Sequence, residues 1–251
     1  MVAPRRGAEN MARDSALMDR ARDTGETVFS VYSWERPTLS LGRNQTARDR
    51  YDLAEIDRRG IEVVRRPTGG RALLHWREVT YSVTAATSEH ESLGDSYERI
   101  NRILLRGLET IGVGASESRG GPPTPPPGEL PCFAAPAEGE LIVEGAKLVG
   151  SAQFRENGAL LQHGSILIED DQPLIASLLA SRSPSLTPQP AATLSGALGR
   201  APEVSEVAAA LFGAVRQLED PNASHINVGE LEGRIRHYLT QYDNPLWTWR
   251  R

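Results

Sequence analysis

Residues 140–168, ELIVEGAKLVGSAQFRENGALLQHGSILI, predict a β-hairpin followed by a further strand. Residues 140–143 are rich in branched apolar side chains, and the Glu144-Gly145 pair that follows is typical of a tight hairpin turn. The chain then returns through residues 147–151, and another strand is expected over residues 160–168. This segment therefore predicts three consecutive strands, the first two of which pair as a hairpin.

Hydrophobic periodicity predicts more helices and strands on both sides of this segment. The predicted helices are 11–23 (N-cap Asn10, end at Gly25), 48–59 (end at Gly60), 96–111, 204–218 and 228–241. The predicted strands are 28–33, 62–65, 72–75 and 79–83. Pro-rich stretches at 113–131 and about 183–191 predict loops. Strands with helices at the edges indicate an α+β fold with a mostly antiparallel or mixed sheet. We expect one domain over residues 1–251, with a C-terminal helical segment at about 201–251.

The composition argues against several classes of protein. A formal net charge of −5 at pH 7 disfavours a nucleic-acid surface or a polybasic membrane patch. No window reaches the roughly eighteen consecutive apolar residues of a membrane span, and the opening MVAPRRGAEN has no apolar stretch typical of a secretory signal. The single cysteine cannot form an internal disulfide. We therefore expect a cytoplasmic monomer with no nucleic-acid or membrane partner.

Lys147 is the only lysine among the 28 lysine and arginine residues. Lysine shifts its pKa readily when buried, whereas arginine stays charged and cannot act as a tunable amine. The only cysteine, Cys132, follows the first Pro-rich stretch and precedes the hairpin that contains Lys147. A thiolate attacks thioesters, and it needs a cationic or hydrogen-bonding neighbour to form at neutral pH. Cys132 and Lys147 are therefore candidate catalytic residues, although a lone cysteine is also typical of a buried core.

The stretch RRPTGGR, residues 65–71, is a second candidate site. Gly69 and Gly70 allow a ligand to approach the backbone closely because neither has a Cβ atom. Flanking arginines suit a carboxylate, a phosphate or a phosphopantetheine group. A plain tight turn between two strands also explains this pattern, and a histidine at a strand end, such as His75, is more often structural than catalytic.

Small residues surround Lys147 in GAKLVGSAQ, residues 145–153, and leave space in which acyl methylenes can lie. In the strand that follows, Gly164 indicates a close backbone approach or a bulge.

The motifs VRRPTGGRALLH, VTYSV, PCFAAP, GAKLVGSAQ and ALLQHGSIL resemble, in this order, the lipoate–protein ligase and octanoyltransferase family. Residues 32–42, YSWERPTLSLG, and residues 242–250 also resemble the pattern of that family. The resemblance covers most of residues 10–168 and the extreme C terminus. It implies a catalytic domain of the biotin/lipoyl protein ligase type, with a curved mixed or antiparallel β-sheet, flanking helices and an acyl chain bound in a tunnel.

The resemblance also implies roles for individual residues. Lys147 falls on the active-site lysine of the family. Cys132 falls where cysteine-dependent octanoyltransferases, which take the acyl group from acyl carrier protein, hold their nucleophile. The substrate-binding residues implied are Arg66, Gly69, Gly70, Arg71, His75, Gly150, Ser151, Ala152, Gln153, His163 and Gly164. No metal site is expected.

Three activities remain open. A transferase would move octanoyl from acyl carrier protein to the lysine of a lipoyl domain or glycine-cleavage H protein through a Cys132 thioester, without a cofactor. An ATP-dependent lipoate–protein ligase would instead form lipoyl-AMP, would need ATP and Mg²⁺, and would leave Cys132 incidental. A non-catalytic lipoyl-domain-binding protein is the third, because Trp76 stands where the family usually has aspartate. The chain also begins about where the first helix of the family begins, so the usual leading strand is expected to be missing. The short C-terminal part favours the transferase.

Overall fold

A computed structural model of the protein describes residues 3–87, 92–120, 133, 137–181 and 190–251. The helices within these residues are α1 (Gly7–Thr24), α2 (Leu53–Arg58), α3 (Leu93–Thr110), α4 (Leu194–Leu198), α5 (Val204–Leu218), α6 (Glu232–Tyr242) and α7 (Pro245–Thr248). The strands are β1 (Val28–Tyr32), β2 (Thr38–Leu41), β3 (Glu62–Arg65), β4 (Leu73–His75), β5 (Glu78–Ala86), β6 (Ser116–Glu117), β7 (Leu141–Val143), β8 (Ala146–Glu156) and β9 (Ala159–Leu167). Short 3₁₀ segments occupy Gln172–Leu178 and Val228–Leu231.

The strands form two sheets. The larger sheet has six antiparallel strands in the order β1-β5-β9-β8-β7-β6. The smaller sheet has the order β3-β2-β4, in which β2 pairs parallel with β3 and antiparallel with β4. The predicted α+β class is therefore confirmed, and the mixed pairing occurs in the smaller sheet.

Helices cover both faces of the larger sheet. On one face, α3 and α5 pack over the main core, where Ile100, Leu104, Val207 and Leu211 meet buried strand residues. On the other face, α1 contacts β5 and β9, and α6 packs outside α1. The smaller sheet has its own core, in which Leu39, Leu41 and Leu74 contact the Gln172–Leu178 segment. These layers leave space between α1 and the inner faces of the two sheets.

The predictions that rested on local turn chemistry and periodicity are confirmed most closely. Strand 62–65 and helix 204–218 have their predicted bounds. The hairpin turn also forms, and Glu144 and Gly145 both have positive φ angles, of 51° and 81°. Left-handed backbone at both turn residues matches the right-handed twist of the flanking strands.

Two helix predictions were wrong in detail. Helix α1 begins at Gly7 rather than after Asn10, and its N-cap Arg6 makes no side-chain capping bond. A distant carboxylate takes the place of a local cap, because the Gly7 amide donates to Glu62 Oε2 at 2.9 Å. Asn10 lies inside the helix and donates to the Ser33 carbonyl. The helix predicted over residues 48–59 is confined to Leu53–Arg58, where Asp52 caps the N terminus.

The predicted loops are described only in part. The first contains the short strand β6, whereas its residues 121–131 lie outside the described part of the chain. Most of the second, residues 182–189, also lies outside it. Among the residues that are described, no helix is both long and apolar enough to cross a membrane.

Candidate active site

A cavity of about 170 Å³ opens between the two sheets and α1. Strand β8 contributes Lys147 and β9 contributes His163 and Ser165, whereas β4 contributes His75 from the smaller sheet. The remaining lining residues are Met11, Tyr32, Trp34, Arg66, Gly70, Arg71, Leu73, Thr80, Ala137, Glu140, Gly150, Ser151, Ala152 and Gly164. An apolar cavity of about 150 Å³ holds a benzene molecule, so this space is large enough for a short acyl chain.

A β-bulge turns Lys147 toward the cavity. Leu141 pairs with Val149, whereas the next residue, Ile142, pairs with Lys147. Strand β8 therefore has one extra residue at the point where β7 has none, which defines the bulge. The regular alternation of side chains is interrupted there, because a bulge inserts one extra residue into one strand. Leu148 and Val149 both pack in the main core, and Lys147 lines the cavity instead.

The Lys147 ammonium group is buried and paired. Lys147 is 3% exposed, and its Nζ donates to Glu140 Oε1 at 2.6 Å. The other carboxylate oxygen of Glu140 accepts from the Ala137 amide at 2.8 Å. The Phe133 ring lies 4.8 Å from the Lys147 Nζ, and a Cβ atom at Gly150 would come within 3.0 Å of the Lys147 Cε. Glycine at 150 thus leaves room for the lysine side chain, which lies in the wall of the cavity.

The glycine loop beside the cavity is held by Arg66. The guanidinium donates to the carbonyls of Ser40 at 3.0 Å, Gly69 at 2.8 Å and Arg71 at 2.7 Å. Gly70 has a φ of +95°, a left-handed conformation in which a side chain is strained. The conformation of the loop is therefore fixed by the hydrogen bonds from Arg66.

His75 lies in the cavity wall with both ring nitrogens engaged. Its Nδ1 is 2.7 Å from Glu78 Oε1, and its Nε2 is 2.8 Å from Ser40 Oγ. The Trp34 ring stacks on the imidazole with centroids 4.0 Å apart. Burial lowers the pKa of His75, against the opposing effect of the Glu78 carboxylate. The neutral imidazole is therefore favoured, with its proton on Nδ1.

His163 forms a second histidine–carboxylate pair. Its Nδ1 lies 2.9 Å from Asp14 Oδ2, and its Nε2 lies 2.7 Å from the Thr68 hydroxyl. The Tyr32 hydroxyl donates to the same Asp14 oxygen at 2.9 Å. Burial, then the Asp14 charge, raises the pKa of Tyr32 well above its ordinary value. This pair ties β9 to α1 and to the glycine loop.

Most of the predicted site residues come together around the cavity: Arg66, Gly70, Arg71, His75, Lys147, Gly150, Ser151, Ala152, His163 and Gly164 line it. Gly69 and Gln153 do not. Gln153 is directed toward α3 instead, where its amide donates to Ser96 of that helix and to Gln162 of β9. The predicted nucleophile, Cys132, lies outside the described residues.

Several lining residues were not predicted, among them Trp34, Thr80, Glu140 and Ser165. The sequence did contain a signal that could have indicated Thr80 as a lining residue. Residues 78–84, EVTYSVT, are polar at every second position of a buried strand, and this pattern indicates a polar inner face. Trp76, in contrast, is 43% exposed and does not line the cavity.

The fold is that of lipoate–protein ligases. Protein Ta0514 of T. acidophilum superposes with a TM-score of 0.79 at 19% identity, covering 99% of this chain and 96% of that chain. A lipoate-protein ligase A bound with ATP superposes with a TM-score of 0.79 at 18% identity, covering 99% of each chain. At these identities the likeness concerns the fold alone.

The chain belongs to the lipoyl protein ligase A/B catalytic domain family, whose model matches residues 6–216. It is 44% identical over 181 residues to the octanoyltransferase LipM of Carboxydothermus hydrogenoformans, covering 70% of this chain and 66% of that protein. It is also 44% identical over 181 residues to the LipM of Kyrpidia tusciae, covering 68% of this chain and 66% of that protein. The matched region thus spans just under two thirds of these curated relatives.

Proposed function

We propose that this protein is an octanoyltransferase of lipoate biosynthesis. It takes octanoyl from acyl carrier protein, holds it as a thioester on Cys132, and passes it to the lysine of a lipoyl domain or glycine-cleavage H protein. Support comes from the naming of similar proteins as octanoyltransferases and from a cavity of suitable size.

The surroundings of Lys147 give the strongest support for this proposal. The only lysine of the chain is buried in the wall of the cavity, and its cation lies against the ring of Phe133. Phe133 directly follows the only cysteine in the sequence. A cation near a thiol favours the thiolate, and a cation near an acyl carbonyl stabilises the negative oxygen of a tetrahedral intermediate.

The reaction has two balanced steps. In the first, the Cys132 thiolate attacks the carbonyl carbon of the carrier thioester, a new C–S bond forms, and the carrier thiolate leaves. In the second, the acceptor amine attacks the same carbon, a C–N bond forms, the bond to Cys132 breaks, and the amine proton passes to water. One thioester replaces another in the first step, so that step is nearly thermoneutral and needs no nucleotide.

Intact mass measurement tests the proposal. Protein mixed with octanoyl acyl carrier protein, without ATP, should gain one octanoyl group that maps to Cys132 and is discharged by a lipoyl domain. Cys132→Ser should remain folded and gain no group. A strict requirement for ATP and lipoate, with full activity of the serine variant, would instead identify an ATP-dependent ligase. Binding of the lipoyl domain without any acyl transfer would identify a non-catalytic binding protein.

A further inference from the structure

Polar side chains line much of the cavity, although the proposed substrate is an alkyl chain. Trp34, His75, Thr80 and Ser165 line this part of the wall, and each side chain carries an N–H or O–H group. A donor that faces an alkyl chain loses its hydrogen bond to water, which costs free energy. The direction in which these four donors point therefore decides what the cavity can bind.

All four donors converge on one oxygen of Glu78. Its Oε1 lies 2.7 Å from His75 Nδ1, 2.5 Å from Thr80 Oγ1 and 2.9 Å from Ser165 Oγ. Trp34 Nε1 is 3.2 Å away and also donates to Thr80 Oγ1 at 2.8 Å. Glu78 is 2% exposed and does not itself line the cavity. The hydrogen bonds therefore run away from the cavity, into the wall behind it.

Net stabilisation is a poor explanation for this carboxylate. A buried charged group gives little net stability compared with apolar packing, because its desolvation is costly. The second oxygen of Glu78, Oε2, has no hydrogen-bond partner among the described residues, which adds to that cost. The surface that lines the cavity is mostly apolar, as expected if these hydrogen bonds turn the polar atoms of the four side chains away from it.

We propose that Glu78 is a positioning residue that makes a wall of polar side chains apolar, so that the cavity selects an unsubstituted alkyl chain over a hydroxylated one. The inference rests on the proposed function for the identity of the chain. Asp14 acts on Tyr32 and His163 in the same way, since both lie within hydrogen-bond distance of its Oδ2.

Calorimetric binding of octanamide and 8-hydroxyoctanamide to the full chain tests this proposal without relying on turnover. The wild type should prefer octanamide by at least about tenfold, because burying an unpartnered hydroxyl is costly. Glu78→Gln offers the donors a neutral and weaker acceptor, so that some donors turn to the ligand hydroxyl and the preference falls by about tenfold. Adding Ser165→Ala to that variant removes one released donor without taking an acceptor from Trp34, and it should restore part of the preference.

Ser82→Ala is the matched control. Ser82 is a buried serine on β5, on the same face of the strand as Glu78, but it does not line the cavity. This variant should keep the wild-type preference. If Glu78→Gln does not fold by circular dichroism, Glu78→Asp, which keeps the charge but shortens its reach, should show the same loss of preference.

The results separate the two proposals. Equal weakening of both ligands by the Gln variant, or failure of the wild type to bind octanamide, overturns the role of Glu78. A wild type that binds with the expected preference but does not transfer octanoyl from its carrier contradicts the proposed function and leaves the role of Glu78 standing.

Discussion

The pairing of Lys147 with Glu140 predicts a large energetic coupling between two residues of the cavity wall. The side chains of Lys147 and Glu140 are 2% and 11% exposed, and their charged atoms are 2.6 Å apart. Lys147→Met leaves a carboxylate that retains only its bond from the Ala137 amide among the contacts described above. Glu140→Gln leaves a buried ammonium without its carboxylate.

The size of the effect follows from burial. Removing one partner of a buried ion pair costs about 3–5 kcal/mol. We expect the lower end, about 3 kcal/mol for Lys147→Met, because Glu140 keeps one hydrogen bond and some contact with water. For a chain of this length that loss lowers the Tm by roughly 6–12 °C. The double variant has no unpaired charge, so it should be more stable than the sum of the single changes predicts, by at least about 2 kcal/mol.

Urea unfolding of the four proteins, followed by circular dichroism, measures this coupling. The exposed pair Arg200–Glu206, whose side chains are 56% and 33% exposed, is the control, and its cycle should give less than about 1 kcal/mol. If the Lys147 and Glu140 substitutions add within about 0.5 kcal/mol, the two side chains are not a buried pair and the reasoning is refuted.

Three further outcomes are expected. Lys147→Arg should remain folded, since the charge facing Glu140 is kept. It should lose at least about 100-fold in acyl transfer, because the guanidinium is larger and planar and does not reproduce the compact point charge of the ammonium. Wild-type turnover by this variant would make the lone lysine an accident of composition. Gly70→Ala should lower the free energy of unfolding more than Gly25→Ala. Both positions have a positive φ, but only at Gly70 would the new Cβ lie within 2.8 Å of Arg66 Nη2. Equal losses would show that the Arg66 side chain moves aside at no cost. The pKa of His75 is lowered in the folded protein, so below about pH 6.5 the unfolded chain binds the proton more readily. The wild type should therefore lose stability as the pH falls from 7 to 5, and His75→Asn should lose less over that range.

Local sequence signals predicted a large part of the fold. The turn at Glu144-Gly145 depends on two adjacent residues, and the stripe of helix α5 depends on side chains three or four positions apart, so both can be read without knowing the tertiary structure. The start of α1 could not be read in this way, because the carboxylate that satisfies Gly7 belongs to Glu62, 55 positions away. Strand β2, residues Thr38–Leu41, was not predicted at all.

In the candidate site, too, local motifs were predictive, whereas contacts between distant residues were not. The motifs predicted which segments meet at the cavity, including Lys147 and His163. They did not reveal the carboxylates behind the wall, because Asp14 and His163 are 149 positions apart and the bulge beside Lys147 depends on pairing with β7. Glu78 is closer to His75 in the sequence, yet its role depends on Trp34 and Ser165, which lie on other strands or loops.

The burial of Lys147 has a consequence for self-modification. A protein that passes activated acyl groups to lysine amines exposes its own surface lysines to the same chemistry. This chain has no second lysine anywhere in its 251 residues, and Lys147 is shielded from solvent. Guanidinium groups, which stay protonated, supply the other long cationic side chains and are poor acceptors. Under the proposed reaction, the surface of this chain therefore offers no lysine amine that competes with the lysine of the partner protein.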